Sequence, residues 1–564
     1  MIHEIVLQLF AAVFTALKRN LALLIAGFFA YQLGRRVIRY VNSPMRRQGV
    51  PGPFLAGFTC WYRAYYANVR RNWHAKLIEL HKQYGTIVWI SPDEVSISDP
   101  MLRGTLYSFA DERKEESFFL KAKSFQTGLF NEDFNFVFET DPARARLGKY
   151  ALSHPYSEKG LSKLEHHFDE AVDAFTQGFK QHVVAEGKVA CLNHWTHFFM
   201  FDLATLLMSG YSNGLCAAGS DQDGAIGALR VIFNVVGSLV PIPFALDITT
   251  RYIRKCVLNS QLEHLFRWSL GYSKGESHKN ERINEIADHL PDNLMSKFRA
   301  GEKKIRKLFP QGNWTEGITN NVFFIYAGSM VASSALPAVV KLIYSHPEVL
   351  AKIREELATI SVPVKLEDAT HQLGECRVPY LEAAILEALR LSPTFGLSLG
   401  RQVPQIGCRL NDFFIPSGYV VSMSGWPTNI NKEYFGEDAE EYKPERWLGN
   451  HPTEIAKDGT GLPRTMRNYL EAGWITWGAG SRVCIGRHLS TTAFIKFISN
   501  MVREFDVEIV SPGYLWYGLI QHMEELMVSA KLHEEKEVEE ADTTLAMATI
   551  DERLVPEALV VEAC

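Results

Sequence analysis

Hydrophobic and polar positions follow three different patterns along this chain. An apolar run extends from residue 5 to residue 33 near the N-terminus. Between residues 141 and 345, apolar positions recur mostly at helical spacing, with glycine and polar breaks between the segments. Residues 86–98 and 402–421 instead contain short β-branched and aromatic runs separated by turn residues, which predict strands. The pattern therefore predicts a fold that is mainly α with a small β portion.

The N-terminal residues 1–49 are predicted to form a membrane anchor followed by a basic linker. Lys18-Arg19-Asn20 interrupts the apolar run, and a spanning helix needs about 20 apolar residues. One helix from about Asn20 to Tyr40 with a snorkelling end satisfies this length, as does a longer tilted helix. The arginines that follow favour a cytoplasmic location for the downstream chain. A cleaved signal peptide is the rival interpretation, disfavoured because no small-residue cleavage site precedes these arginines.

Composition excludes several classes of function. Charged residues make up 22% of the 564 residues and the net charge is −5, so nothing indicates a nucleic-acid partner. The eight cysteines are scattered and form no C-x-x-C pair, which argues against a zinc site or a disulfide framework and fits a reducing compartment. Residues 532–564 are acidic and lack aromatic residues, so this tail is predicted to be disordered.

A glycine-rich loop holds the cysteine with the most distinctive surroundings. Cys484 lies in Trp477-Gly478-Ala479-Gly480-Ser481-Arg482-Val483-Cys484-Ile485-Gly486, directly before an apolar helix predicted over Leu489 to Phe505. The glycines permit tight turns and close approach to a flat cofactor. Free N–H groups at the helix start favour the ionised thiol. A lone cysteine in a turn is more often a small packing residue, but this environment suits a thiolate on haem iron.

Two further motifs lie upstream of the loop. Glu387-x-x-Arg390 falls in a Leu- and Ala-rich run that predicts a helix, and the spacing places both charges on one helical face. Such pairs are usually exposed and weak, but the neighbouring residues here are apolar. A buried pair needs additional partners, and Pro444-Glu445-Arg446-Trp447 offers Arg446.

These three motifs, in this order, resemble those of the cytochrome P-450 superfamily of haem-thiolate monooxygenases, with Trp477 in place of the usual phenylalanine. The resemblance implies a cytochrome P-450 fold with a single large haem domain over residues 50–531. It implies haem b as the cofactor, with Cys484 as the axial ligand of iron. It also implies a haem-binding role for a further set of residues: Arg482, Arg401, Gly478, Gly480, Gly486 and Ala327.

By the same resemblance, Glu387, Arg390 and Arg446 form an ionic network behind the ligand loop. Removing one member of such a buried network costs about 3–5 kcal/mol. The resemblance does not decide two other possible contacts to haem. Arg144 or Arg146 would be a third cation for the haem carboxylates, with solvated surface as the alternative. Asn429 stands where many relatives carry histidine.

The helix expected over the distal face of haem departs from the family pattern. A long apolar helix is predicted from Asn320 to Tyr344, and its Ala327-Gly328 pair matches the family. Relatives usually continue with an acid and an alcohol that relay protons to bound oxygen. Here Met330 and Val331 occupy those two positions, and neither side chain donates a useful proton.

Three explanations compete for the departure. Protons arrive through water, a substrate hydroxyl or Ser334, which lies one turn after Val331. Alternatively, the chain is a non-oxygenating haem-thiolate enzyme, such as a peroxygenase, isomerase or dehydratase. In the third explanation Met330 and Val331 only shape the pocket.

The wider resemblance is to fungal microsomal enzymes of the pisatin demethylase-like type, through Ser96-Ile97-Ser98-Asp99-Pro100 and Phe435-Gly436-Glu437-Asp438-Ala439. It implies insertion of one oxygen atom from O₂ into a lipophilic small molecule in secondary metabolism. Electrons would come from NADPH through NADPH-cytochrome P-450 reductase, docking near Arg482, Arg487 and His488. The implied location is the endoplasmic reticulum membrane, with the catalytic domain in the cytoplasm. The pocket is expected to contain four aromatic residues: Phe324, Tyr326, Phe395 and Trp516.

Overall fold

The computed structural model describes residues 21, 23, 26–108, 118–122, 139–242, 293–300, 307, 314–369, 376–455 and 463–533. Residues 1–20 of the predicted anchor and the tail beyond residue 533 lie outside these ranges. Residues 26–42 are helical, and most of their side chains are exposed.

Helices dominate the described residues, in agreement with the sequence pattern. The longer α-helices are Trp73–Tyr84, Pro142–Ser153, Glu165–Phe179, Leu192–Ser209, Ala225–Leu239, Trp314–Tyr344, Pro347–Ala358, Pro379–Leu391 and Arg487–Glu504. The shorter ones are Pro44–Arg47, Phe54–Phe58, Trp61–Ala64, Arg103–Leu106, Glu158–Leu161, Leu215–Ala218, Leu294–Ala300, Leu366–Ala369, Gly425–Thr428, Lys432–Phe435 and Met466–Gly473. Single π turns occur at Tyr65–Val69 and Lys180–Val184. The 3₁₀ turns are Pro100–Leu102, His154–Tyr156, Ser162–Leu164, Pro444–Trp447 and Gly480–Arg482.

A mixed five-stranded sheet confirms the two predicted β regions. Its strands, in spatial order, are Ile87–Ser91, Glu94–Ile97, Val420–Met423, Arg401–Gln402 and Leu120–Lys121. The first two form the predicted hairpin, with Ile87 opposite Ile97. At the other edge Lys121 pairs directly with Arg401, so two cationic side chains are neighbours across the sheet.

Three smaller sheets complete the β portion of the described residues. Strands Phe505–Trp516, His522–Leu532 and Ala190–Cys191 form one of them. Two hairpins pair Cys408–Leu410 with Phe413–Ile415, and Asn450–Ile455 with Pro463–Thr465. The turn at 517–521, between the two longest strands, contributes Leu519 and Ile520 to the wall of the main cavity.

The main hydrophobic core surrounds the longest helix, Trp314–Tyr344, which we call the distal helix. Helix Leu192–Ser209 packs along it, and helices Pro379–Leu391 and Arg487–Glu504 contact it as well. Among the described residues the segment Ile325–Tyr344 is long and apolar enough to cross a membrane, but 78% of it is buried inside the protein. We therefore interpret this segment as a core helix.

Candidate active site

The ligand loop, residues 477–486, is a tight turn closed by its own backbone. The N–H of Cys484 donates to the Trp477 carbonyl at 2.8 Å. Gly478 and Gly480 adopt φ values of +73° and +60°, which side chains rarely tolerate. A Cβ at Gly480 would lie 1.6 Å from the Tyr107 carbonyl oxygen, so only glycine fits there. The close approach of the Tyr107 carbonyl therefore explains why the tight turn of the loop requires glycine at position 480.

The thiol of Cys484 is exposed to a cavity and lies just before helix Arg487–Glu504. Desolvation raises the pKa of this thiol. Three neighbours oppose the increase: the Gly486 N–H, the Lys149 ammonium and the Arg487 guanidinium. A Cβ at Gly486 would stand 3.9 Å from the Cys484 sulfur, which is an ordinary contact. The surroundings of the thiol therefore combine an apolar wall with positive charge, which suits a metal-bound thiolate.

The cavity beside Cys484 has a volume of about 420 Å³. Its wall is mostly apolar, and the ligand loop and the distal helix both contribute to it. Of the predicted aromatic residues, Phe395 lines the cavity. Tyr326 is instead fully buried beside Phe201, with ring centroids 6.0 Å apart. The Trp516 ring lies under the Arg71 guanidinium, at 5.1 Å. The side chain of Phe324 lies outside the described set.

The distal helix turns one face towards this cavity. Ala327, Gly328 and Val331 all line it. A Cβ added at Gly328 would have no atom within 4 Å, so this position leaves open space beside the helix. Ser329 also lines the cavity, but its hydroxyl donates to the Ile325 carbonyl at 2.9 Å. The cavity-facing turn therefore offers little proton-donating capacity.

Met330 and Ser334 do not line the cavity, contrary to the expectation that they act in or shape the pocket. Met330 is fully buried, and its sulfur lies 3.1 Å from His197 Nε2. The Ser334 hydroxyl lies 2.8 Å from the Met330 carbonyl and 3.0 Å from His522 Nδ1. The physical reason is helical geometry, because residues 330 and 334 share a face that points away from the face of residues 328, 331 and 335. This placement offers no support for Ser334 as a substitute proton donor.

Three cations converge at one edge of the cavity: Lys121, Arg401 and Arg482. Burial lowers the pKa of Lys121 well below its usual value, and the two nearby guanidinium groups lower it further. Burial and Arg401 likewise lower the pKa of Arg482 to about 10. The Arg401 guanidinium also lies 4.5 Å above the centre of the Tyr107 ring. Three mutually repelling cations, of which Arg401 is buried and the other two are half-buried, indicate a site built for an anion.

Lys121 and Lys149 are cavity residues that the sequence analysis missed. Lys149 lies on helix Pro142–Ser153, and its ammonium donates to the Val483 carbonyl at 2.6 Å. It therefore supports the ligand loop from the side. Arg144 and Arg146 are exposed instead, and Arg144 pairs with Glu139 at 3.3 Å, so the surface alternative describes them.

The Glu387–Arg390 pair is completely buried in helix Pro379–Leu391. Arg390 binds both carboxylate oxygens of Glu387, at 2.8 and 2.7 Å. Its remaining donors reach the carbonyls of Asn429 at 2.7 Å and Ala439 at 2.6 Å. The fifth N–H reaches the Glu441 carbonyl at 3.3 Å, so every donor of the guanidinium has a partner, as a buried pair requires.

Arg446 completes the predicted network. Its Nε donates to Glu387 at 3.1 Å, and its Nη1 donates to Asp438 at 2.7 Å. The Trp447 indole N–H also donates to Glu387, at 2.8 Å. A phenylalanine at this position would make no such bond, so Trp447 is a fourth member that motif comparison alone missed.

Asn429 connects the network to the ligand loop. Its side-chain amide donates to the Arg390 carbonyl and to the Thr476 hydroxyl, and its oxygen accepts from Ile475 N–H at 3.2 Å. Thr476 and Ile475 line the cavity immediately before the loop. Asn429 therefore has an architectural place here rather than a contact with the cavity.

Comparison with known proteins decides the family. The family model described as cytochrome P450 matches residues 51–528 of this chain. The chain belongs to the cytochrome P450 family.

Three fungal members of this family are similar to the chain over most of its length. A cytochrome P450 monooxygenase of Aspergillus terreus is 28% identical over 492 residues, covering 84% of this chain and 92% of that protein. The monooxygenase pkfB of Emericella nidulans is 27% identical, with 82% and 87% covered. A pisatin demethylase of Fusarium vanettenii is 28% identical, with 86% and 88% covered.

The cofactor of a cytochrome P450 is haem, held by a cysteine thiolate on its iron. The cavity fits this group on three counts. An accessible cysteine lies in its wall, and the Gly328 gap leaves space beside the distal helix. The cations Lys121, Arg401 and Arg482 stand together at one edge, where carboxylates of the macrocycle would neutralise them. These findings confirm four predictions from the sequence: the resemblance to the cytochrome P450 family, the fold class, the monooxygenase class and the haem cofactor.

Proposed function

We propose that this chain is a haem-thiolate monooxygenase that inserts one oxygen atom from O₂ into a lipophilic small molecule, a fungal secondary-metabolite intermediate. The observation that carries the proposal is the largely apolar cavity of about 420 Å³ with Cys484 in its wall. Cys484 would hold the iron, and Arg482, Arg401 and Lys121 would bind the haem carboxylates. Thiolate-ligated haem, when bound, supplies the electron density that favours O–O cleavage.

The residues of the chain would divide the remaining work. Phe395, Leu519 and Ile520 would position an apolar substrate and exclude water around it. Ala327 and Gly328 would leave space for a small ligand of iron. Val331 offers no proton, so water in the space beside Gly328 would deliver protons to the reacting oxygen. Gly478 and Gly480, both at positive φ, would keep the ligand loop close to the macrocycle.

The first test concerns Cys484. The purified wild-type protein, reduced under carbon monoxide, is expected to show the red-shifted absorption band of a thiolate-ligated adduct. The Cys484→Ser variant should lose that band while the Cys216→Ser variant keeps it, because Cys216 is buried away from the cavity. A band that survives in Cys484→Ser would overturn the assignment.

The second test concerns the reaction. With NADPH and a fungal NADPH-cytochrome P450 reductase, the protein should consume O₂ in the presence of its substrate. Deletion of the gene, followed by metabolite profiling, is expected to reveal the accumulated precursor. The alternative is a peroxygenase, isomerase or dehydratase. It is favoured by one observation, the absence of an acid or alcohol at the cavity-facing position 331. Turnover of a peroxide or a pre-oxygenated substrate without reductase would establish that alternative.

The proposed location is the endoplasmic reticulum membrane, with the catalytic domain in the cytoplasm. Large exposed apolar residues concentrate near the N-terminal end of the described chain, among them Phe28, Phe29, Ile38, Phe54 and Val69. Arginines stand between them and would meet anionic lipid headgroups. Deleting residues 1–42 is expected to reduce the membrane-bound fraction of the protein in cell fractionation. An unchanged fraction would contradict the anchor.

The proposed reductase site is the surface around Arg487 and His488, at the start of the helix that follows the ligand loop. His488 Nδ1 lies 2.9 Å from Glu158, and burial lowers the pKa of His488, so this surface combines the Arg487 cation with a neutral histidine beside a carboxylate. Arg487→Glu is expected to weaken reductase-driven reduction. Because Arg487 also acts on the Cys484 thiol, haem content and reduction by dithionite are measured in parallel, and a defect confined to reductase-driven reduction identifies docking.

A further inference from the structure

A proline interrupts the hydrogen bonding of the distal helix directly behind the cavity. Pro337 lies inside helix Trp314–Tyr344. Proline has no N–H, so the carbonyl four residues earlier, that of Ser333, lacks its helical donor. Ser333 is fully buried, and its neighbours Ala332 and Ala335 line the cavity. A buried carbonyl without a donor would destabilise the helix at the turn that faces the reaction site.

Thr196 supplies the missing donor from another helix. It lies on helix Leu192–Ser209, one turn before the cavity residue Met200, and it is fully buried. Its hydroxyl lies 3.0 Å from the Ser333 carbonyl and also 3.0 Å from the Asn193 carbonyl of its own helix. Asn193 has a second donor in His197 Nδ1. Loss of the Thr196 hydroxyl would therefore leave the Asn193 carbonyl with a donor, but it would remove the donor of the Ser333 carbonyl.

A second hydrogen bond fixes the same stretch from the β-sheet side. The single proton of the Ser334 hydroxyl is donated to the Met330 carbonyl at 2.8 Å. His522 Nδ1, 3.0 Å away, must then donate to the Ser334 oxygen. His522 begins strand His522–Leu532, so the proline-containing segment is held between a helix and a strand.

We propose that Thr196 is a positioning residue, with His522 as a second anchor. It compensates for Pro337 and fixes the cavity-facing turn of the distal helix, including Val331 and Ala332. The link to catalysis rests on the proposed function, because it requires haem in the cavity. The hydrogen-bond compensation itself does not, since it is a property of the polypeptide.

The test compares Thr196→Val with Thr196→Ser in the full-length holoenzyme. Thr196→Val keeps the shape and removes the hydroxyl, and Thr196→Ser keeps the hydroxyl. Hydrogen–deuterium exchange of peptides from 325–344 is expected to accelerate about tenfold in Thr196→Val and to return to normal in Thr196→Ser. Imidazole, titrated as a distal ligand of haem iron, should change its Kd by about threefold in Thr196→Val only.

A matched control exists on the same helix. Thr205 is also fully buried, but its hydroxyl donates only within its own helix, to the Asp202 carbonyl at 2.8 Å. Thr205→Val should leave exchange in 325–344 and the imidazole Kd unchanged. Equal effects of the two valine variants would overturn the proposal, because they would reflect general loss of packing.

Pro337→Ala gives the decisive comparison. Alanine restores an N–H to the Ser333 carbonyl, so adding Thr196→Val to Pro337→Ala should accelerate exchange much less than in the wild type. Additive effects in this double-mutant cycle would refute the compensation. If Cys484→Ser retained the thiolate band, the proposed function would fail while the exchange result still stood, so the two failures are distinguishable.

Discussion

Val331 stands at the position where relatives usually carry the alcohol that relays protons. It faces the cavity, whereas Met330, at the usual acid position, does not. Val331→Thr is nearly isosteric and introduces a hydroxyl at the reaction site. We expect it to raise the fraction of NADPH electrons that reach product, by up to about tenfold, because a positioned proton donor assists oxygen chemistry. The measurement is product formed per NADPH consumed, with hydrogen peroxide quantified in parallel.

Met330→Thr is the matched control for this prediction. It places the same hydroxyl one residue earlier, against His197 and away from the cavity. It should not raise coupling. A gain in Met330→Thr equal to that in Val331→Thr would show that the position of the hydroxyl is irrelevant.

Trp447 adds a hydrogen bond to the buried network of Glu387, Arg390 and Arg446. Its indole donates to the buried carboxylate of Glu387. Trp447→Phe keeps an aromatic ring but removes a charge-assisted bond, and it should lower the free energy of unfolding by about 1.5–3 kcal/mol. Urea unfolding monitored by circular dichroism measures this. Trp474→Phe is the control, because the buried Trp474 indole nitrogen has no hydrogen-bond partner among the described residues. A similar loss in both variants would assign the effect to ring size.

At the scale of elements, we expect alanine to have opposite effects on haem binding at two glycines of the ligand loop. Gly480→Ala would drive a Cβ into the Tyr107 carbonyl at a positive φ, so the loop must move. Gly486 has φ −81° and only the Cys484 sulfur near its Cβ position. We expect Gly480→Ala to lose most of its haem and Gly486→Ala to keep most of it, measured as haem per polypeptide. Equal retention would contradict the loop geometry.

Short sequence motifs were enough to predict those helices and contacts that form between residues close together in the chain. The Glu387-x-x-Arg390 spacing fixes one helical face, so the buried pair and its helix followed from the pattern. Lys121 could not be found in this way, because only its pairing with Arg401, 280 positions later, brings it to the cavity. That Met330 and Ser334 lie on the side of the distal helix away from the cavity was predictable from the sequence. Helical spacing groups them with each other and separates them from Gly328, Val331 and Ala335.

For the whole molecule, the buried histidines contribute a loss of stability in acid. Burial lowers the pKa of His522 to about 3, and that of His74, His81 and His197 to about 4. The same groups titrate near 6.5 in an unfolded chain. Between these values the unfolded state binds more protons than the folded state. The stability contribution is therefore complete above pH 6.5 and is lost progressively as the pH falls towards 4.

We expect the free energy of unfolding to be lower at pH 5.5 than at pH 7.5, by about 1 kcal/mol for each of these histidines. Urea unfolding at the two pH values measures the difference. His81 offers the cleanest single variant, because its ring bonds the Gly85 carbonyl at 2.9 Å and the Ser96 hydroxyl at 2.8 Å, far from the cavity residues. His81→Gln keeps an amide donor in place of the ring and should reduce the pH dependence by one histidine's share. Stability that stays constant or rises on acidification would show that these side chains are not held neutral by the fold.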